Sequence, residues 1–310
     1  MRFRTDTALI TGSIAPLITP FTDSGALDID SLRRLVDWQI AAGSHGISIG
    51  GSTGEPSAQT AAERIEAIQA VADRIDDRVP FVPGTGSAKL DETLQITAAA
   101  QHAGADAALI ITPYYARPTQ EALYRWYATI AEEFPDLPII MYNVPSRTAV
   151  ELAPDTVARL YRDFDNIVGI KETTKDFEHF SRVIHAAGEN ISVWSGIELL
   201  CLPLLALGGV GFVSAVSNIA PHTVAQMYEL WTAGDHDAAR RLHYALHPLA
   251  DLLFVETNPA PAKWVLYQQG RIASPFVRPP LITPTAAGID QIEVLLGRAS
   301  AVVNEEEKVF

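Results

Sequence analysis

Eight times between residues 12 and 234, a short apolar run gives way to a longer amphipathic one, with no β-hairpin signal between them. The apolar runs fall at 12–20, 46–50, 79–84, 107–114, 138–143, 167–171, 191–194 and 211–215, and the stretches after them have helical spacing. Strands separated by helices pair in parallel, because each crossover carries the chain back to its starting end. Eight evenly spaced units predict an α/β chain closed into a (β/α)8 TIM barrel rather than an open doubly wound sheet. A dinucleotide-binding sheet would carry G-x-G-x-x-G after its first strand. The G-x-G pair here, Gly84 and Gly86, follows the third strand and lacks the rest of that pattern.

Beyond the eighth unit the strands stop. Residues 236–254, 258–269 and 285–297 read as helices, so the chain divides into a barrel over 1–233 and a C-terminal helical extension over 234–310. The last residues, N-E-E-E-K-V-F, read as a frayed end. With 48% hydrophobic residues the 310-residue chain can fill a large core. A formal charge of −14 argues against nucleic acid or an anionic membrane as partner. The apolar stretch 199–216 is broken by Pro203, Gly208, Gly209 and Gly211, which excludes a membrane span there. Cys201 is the single cysteine and lies in an apolar run. Together with the absence of a signal-type start, it predicts a buried thiol in a cytoplasmic protein.

In such a barrel the chemistry belongs at the carboxyl ends of the strands. The run I-V-G-I-K-E-T-T, 167–174, puts Lys171 at the end of a strand buried on both faces. Desolvation favours the free amine, which attacks carbonyls. Alone, it is equally a strand-edge lysine with its head in solvent. The other strand ends bring Ser52, Thr53, Tyr115, Tyr142 and Arg147 to the same mouth, with Gly196 and Ile197 after strand seven. Tyr142 could also be a core tyrosine, Ser52 and Thr53 could cap a turn, and Glu55 reads as a carboxylate at a helix N-terminus. The eight histidines avoid this mouth, so neither a metal site nor a Ser–His–Asp arrangement is expected. An amine, two phenols, two hydroxyls and a guanidinium suit imine formation, proton transfer and carboxylate binding.

Five motifs carry a resemblance: G-G-S-T-G-E (50–55), P-Y-Y-A-R-P (113–118), Y-N-V-P-S-R-T (142–148), G-I-K-E-T (169–173) and N-P-A-P-A-K (258–263). Over roughly residues 12–297 the chain resembles the dihydrodipicolinate synthase and N-acetylneuraminate lyase family of class I aldolases. The resemblance implies a homotetramer of two tight dimers, with no cofactor beyond a covalent imine. Lys171 matches the lysine that binds pyruvate or another 2-oxo acid, and Tyr142 the proton carrier. Ser52 and Thr53 match the pair on the 2-oxo acid carboxylate, Ser52 also serving the proton relay. Tyr115 matches a relay tyrosine that reaches into the neighbouring subunit's site, and Val213 a residue whose carbonyl touches pyruvate.

Arg147 and its loop look like the synthase branch, which condenses pyruvate with L-aspartate 4-semialdehyde and holds the aldehyde's carboxylate with that arginine. Other positions depart from it: Ile197 stands where synthases carry an acidic residue, and Ser52 where they usually have threonine. Those departures resemble aldolases and dehydratases acting on 2-keto-3-deoxy sugar acids, which keep the imine and change the partner.

Overall fold

The structure, a computed structural model, describes residues 6–309. Regular pairing among the described residues involves β1 (Gly12–Pro16), β2 (Gly46–Ser48), β3 (Ala108–Ile111), β4 (Ile139–Asn143), β5 (Ile167–Glu172), β6 (Ser192–Ser195) and β7 (Gly211–Phe212). All are parallel, in the order β2-β1-β7-β6-β5-β4-β3. The expected strand at 79–84 is reduced to two bridges, Phe81 with Ile47 and Gly84 with Leu109. Pro80 and Pro83 explain the reduction, because neither has an N–H to donate to the ladder. The segment nevertheless joins β2 to β3. Val82 N–H donates to the Ile47 carbonyl at 2.8 Å, and Leu109 N–H to the Pro83 carbonyl at 2.9 Å. The sheet therefore closes into the eight-stranded barrel that the repeat predicts.

Closure brings two strand ends into backbone contact. A Cβ on Gly50 would lie 2.6 Å from the Gly84 carbonyl oxygen, and one on Gly84 would lie 2.6 Å from that of Gly50. Only glycine allows this approach.

Helices Ile29–Ala41, Ala61–Ile75, Leu90–His102, Gln120–Glu133, Pro154–Asp163, Phe177–Ala187, Cys201–Ala206 and Pro221–Thr232 follow successive strands and coat the barrel. Their starts follow local chemistry. Thr60 and Glu63 form a reciprocal capping box, while Asp28, Thr119 and Asp176 each accept a first-turn N–H. The expected helix over 236–254 divides into His236–Ala245 and His247–Leu252, with Pro248 opening the second piece. Ala260–Gln268 and Ala286–Arg298 match the other two expected helices closely.

The frayed end does not materialise over the described residues. Ser300–Val309 is helical. Glu306, only 4% exposed, accepts the backbone N–H groups of His222 at 3.1 Å and Thr223 at 2.8 Å. It therefore satisfies two free donors at the start of Pro221–Thr232 and adds negative charge at the positive end of that helix. Leu249, Leu252, Val265 and Ile292 of the C-terminal helices lie in the same apolar cluster as Leu35, Val71 and Phe212 of the barrel.

One irregularity decides where Lys171 points. Between β4 and β5 the register shifts: Ile139 pairs with Ile167, but Ile140 pairs with Gly169. Val168 is thus an extra residue in β5. Ile167 and Ile170 both pack on the helices, whereas Tyr142 and Trp194, the partners of Lys171, belong to the cluster inside the barrel. Strict alternation from Ile167 would have aimed residue 171 outward. The bulge reverses the phase and turns the lysine inward.

Candidate active site

The carboxyl ends of the strands surround a cavity of about 760 Å³. Lys171, Tyr142, Ser52, Thr53, Arg147 and Val213 all line it. Gly196, Ile197 and Thr173 line it as well, at the adjoining ends of β5 and β6. Lys171, paired in register with Tyr142, is 5% exposed. Its Nζ stands 4.2 Å from the centre of the Tyr142 ring. The Tyr142 hydroxyl lies 3.3 Å from Ser52 Oγ, so amine, phenol and hydroxyl form one chain. Burial by itself would raise the Tyr142 phenol. The Lys171 ammonium, the Ser52 hydroxyl and the Arg147 guanidinium outweigh it and hold the phenol below its usual range. An acidified phenol exchanges protons more readily near neutrality.

Ser52 and Thr53 occupy a 3-10 turn, Ser52–Gly54, directly after β2. Thr53 is buried, and its Oγ1 accepts a hydrogen bond from Asn258 Nδ2 at 3.0 Å. Arg147 lies in the short helix Pro145–Thr148 after β4, largely exposed at the rim, with Nη2 donating to the Asn258 carbonyl at 3.4 Å. Val213 is 6% exposed, and its N–H donates to the Ser195 carbonyl at 2.8 Å. Gly196 is required by close approach: a Cβ there would lie 2.8 Å from Lys171 Cε and overlap Thr173 Oγ1.

Tyr115 does not join this group. Its backbone is left-handed at φ 75°, and Ala116 N–H donates to the Tyr114 carbonyl at 3.0 Å, closing a three-residue turn around it. The turn throws the ring outward, where it is 95% exposed. Tyr114 instead lines a smaller adjoining cavity of about 190 Å³ that also touches Ser52, Tyr142 and Arg147. Glu55 does not serve a helix N-terminus either. Its carboxylate is buried against Lys263, with Oε1 2.5 Å from Nζ.

Sequence reasoning passed over several residues of the cavity. Glu198, one position beyond Ile197, faces it and accepts the Ala215 N–H at 2.9 Å. Burial, the largest influence, holds its carboxyl above the usual range; the Ala215 N–H and the Lys171 charge act the other way. An acidic group thus occupies the wall that Ile197 had seemed to leave apolar. Asn258 was visible within N-P-A-P-A-K, but nothing in one sequence tied it to Thr53. Glu172, next to Lys171, points away from the cavity. It is fully buried, accepts from Asn143 Nδ2 at 3.2 Å and lies 3.5 Å from His179 Nε2. Desolvation keeps its carboxyl well above the ordinary value.

A buried amine one strand from an acidified phenol, at the carboxyl end of a closed barrel, defines the class I aldolases, lyases that work through a lysine imine. The chain belongs to the dihydrodipicolinate synthetase family, whose sequence profile matches residues 9–299. Members of this family use the lysine imine itself, without a separate cofactor. The 4-hydroxy-tetrahydrodipicolinate synthase of Thermus thermophilus is 45% identical over 296 residues, covering 96% of this chain and 98% of that protein. The structure of the corresponding enzyme from Methylacidiphilum fumariolicum superposes with a TM-score of 0.91 at 36% identity, covering 97% of this chain and 99% of that one. The chloride-inhibited dihydrodipicolinate synthase of Acinetobacter baumannii, solved with pyruvate, gives 0.90 at 38% identity, covering 94% and 99%.

Proposed function

We propose that this chain condenses pyruvate with L-aspartate 4-semialdehyde to give 4-hydroxy-tetrahydrodipicolinate. The observation that carries the reading is the buried Lys171 Nζ 4.2 Å from the Tyr142 ring, with Ser52 Oγ 3.3 Å from the phenol oxygen. The pyruvate complex of the Acinetobacter baumannii relative and the name of the Thermus thermophilus relative support the two ends of the reaction.

Lys171 attacks the pyruvate keto carbon, and loss of water leaves the imine. A methyl proton then departs to give the enamine, whose terminal carbon adds to the aldehyde while the aldehyde oxygen takes up a proton. The amino group of the second substrate attacks the imine carbon, which closes the ring and frees Lys171. Tyr142 and Ser52 carry the protons. Thr53, Ser52 and the N–H groups of their turn bind the pyruvate carboxylate, and the Val213 carbonyl borders that subsite. Arg147, at the rim, binds the carboxylate of the aldehyde. Gly196 and Ile197 form the wall against which the second substrate lies.

We further propose that Tyr115 completes the relay in a second copy of the chain, within a homotetramer built from two tight dimers. A phenol held at positive φ and 95% exposed suits insertion into a neighbour's site. The single buried thiol, Cys201, supports a cytoplasmic location.

Borohydride reduction in the presence of pyruvate should add one pyruvate-derived unit at Lys171, seen by peptide mass. Turnover with the aldehyde should fall on the order of 100-fold or more in Arg147→Ala, as expected for losing a bidentate carboxylate contact. The intact protein failing to turn over that aldehyde refutes the assignment. Mixing Lys171→Met with Tyr115→Phe protein tests the relay, because hybrid dimers regain activity only if Tyr115 acts on the neighbouring site.

A further inference from the structure

The turn that carries Ser52 and Thr53 is gripped from one side by the C-terminal extension. Asn258 Nδ2 donates to Thr53 Oγ1 at 3.0 Å. Two residues further on, Glu55 has left-handed backbone at φ 55° and a carboxylate that is 4% exposed. One carboxylate oxygen lies 2.5 Å from Lys263 Nζ, and the other accepts the Arg278 N–H at 2.9 Å. Lys263 is 0% exposed. It also donates to the Phe276 carbonyl at 2.9 Å and stands 4.1 Å from the centre of the Phe21 ring. The Arg278 guanidinium lies over the same ring, at 4.4 Å, and donates to Glu63 and to the Gly25 and Ala58 carbonyls. Every donor here comes from residues 258–278, and every side-chain acceptor from residues 53–63.

A fully buried ion pair is a poor way to gain stability, because desolvation of both charges offsets their attraction. What it supplies is direction: the two oxygens of Glu55 accept only where Lys263 Nζ and the Arg278 N–H stand. We infer that the Glu55–Lys263 pair is a positioning device that sets the Ser52–Thr53 turn to receive the 2-oxo acid carboxylate. The inference rests on the proposed role of that turn. Neither residue of the pair is among those that line the main cavity, so both act through Ser52 and Thr53.

The pair has a built-in pH limit. Burial lowers the Lys263 ammonium to about 8, with Glu55 opposing the shift and Arg278 reinforcing it. Glu55 and Arg278 are the charged groups that face it, and Glu63 balances Arg278. As the pH rises through about 8 the ammonium loses its proton and the grip on Glu55 weakens.

Steady-state kinetics of the full chain, with pyruvate and L-aspartate 4-semialdehyde varied separately, test this for Glu55→Gln, Lys263→Met and the double variant. Each single change should raise the pyruvate KM about tenfold, since sub-ångström misplacement of a binding group costs that much. The aldehyde KM should stay within about threefold, and the double variant should be no worse than either single one. In the unsubstituted protein the pyruvate KM should climb above about pH 8, an inflection that the double variant lacks. An unmoved pyruvate KM in Glu55→Gln, or an equal rise in both KM values, overturns the inference. If Lys263→Met does not fold, Glu55→Gln and the pH profile decide. Thr53→Val separates the two levels: if it raises the pyruvate KM while Glu55→Gln does not, the carboxylate subsite stands and the positioning role falls. If Thr53→Val leaves that KM unchanged, the subsite itself is wrong.

Discussion

Replacing Gly196 by alanine adds one methyl group at the tightest point beside the nucleophile. The new Cβ would lie 2.8 Å from Lys171 Cε and 3.1 Å from Thr173 Cβ, besides overlapping Thr173 Oγ1. Ordinary contacts between such carbons begin near ~3.5 Å, so the lysine arm must retreat by roughly 0.7 Å if nothing else gives. The backbone is poorly placed to yield, because Gly196 N–H is bonded to the Glu172 carbonyl at 2.6 Å and Thr173 N–H to the Asn143 carbonyl at 2.9 Å. Overpacking of this kind costs about 1–3 kcal/mol of stability. Displacing the amine by a sizeable fraction of an ångström lowers the rate of imine formation by about 10- to 100-fold. Single-turnover borohydride trapping with pyruvate, followed by intact mass, measures that rate, and thermal unfolding measures the stability. Gly297→Ala is the matched control. A Cβ there meets nothing within 4 Å, and the residue lies inside the helix Ala286–Arg298. It should trap pyruvate at the parent rate and gain up to ~1 kcal/mol from helix propensity. If Gly196→Ala traps pyruvate at the parent rate with unchanged stability, the packing argument for the lysine's position is wrong.

Tyr142→Phe should still form the trapped imine but lose about 100- to 10,000-fold in turnover, which separates proton transfer from nucleophilic attack. Because Lys171 helps hold the Tyr142 phenol low, ultraviolet titration should show one tyrosine ionising below the ordinary range. Lys171→Met should move it back up. Glu306→Ala strips two backbone donors of a buried carboxylate acceptor and should cost about 1–3 kcal/mol in denaturant unfolding, with the pyruvate trapping rate unchanged. Glu63 is held at about 2, chiefly by its hydrogen bond to Arg278, against an ordinary value of 4.5. Its contribution to stability is therefore present above about pH 4.5 and lost as the pH falls toward 2. Over that window the melting temperature should drop less steeply in Glu63→Gln than in the unsubstituted protein.

The barrel was legible from the chain because strand and helix periodicities are local, and eight repeats of them admit few closures. The one weak strand was visible too, in retrospect, through Pro80 and Pro83. Lys171, Tyr142, Ser52, Thr53 and Arg147 were legible because strand ends in a parallel barrel gather at one rim whatever the intervening sequence. Tyr115 shared that rim by position, but a three-residue turn sends its ring away. The Glu55–Lys263 pair and the Thr53–Asn258 bond join residues more than 200 positions apart, and no local signal carries such a contact. The inward aim of Lys171 belongs to the same category. Its place at a strand end follows from the apolar run before it. Its direction depends on one extra residue in β5, which exists only once β4 lies alongside to define the register.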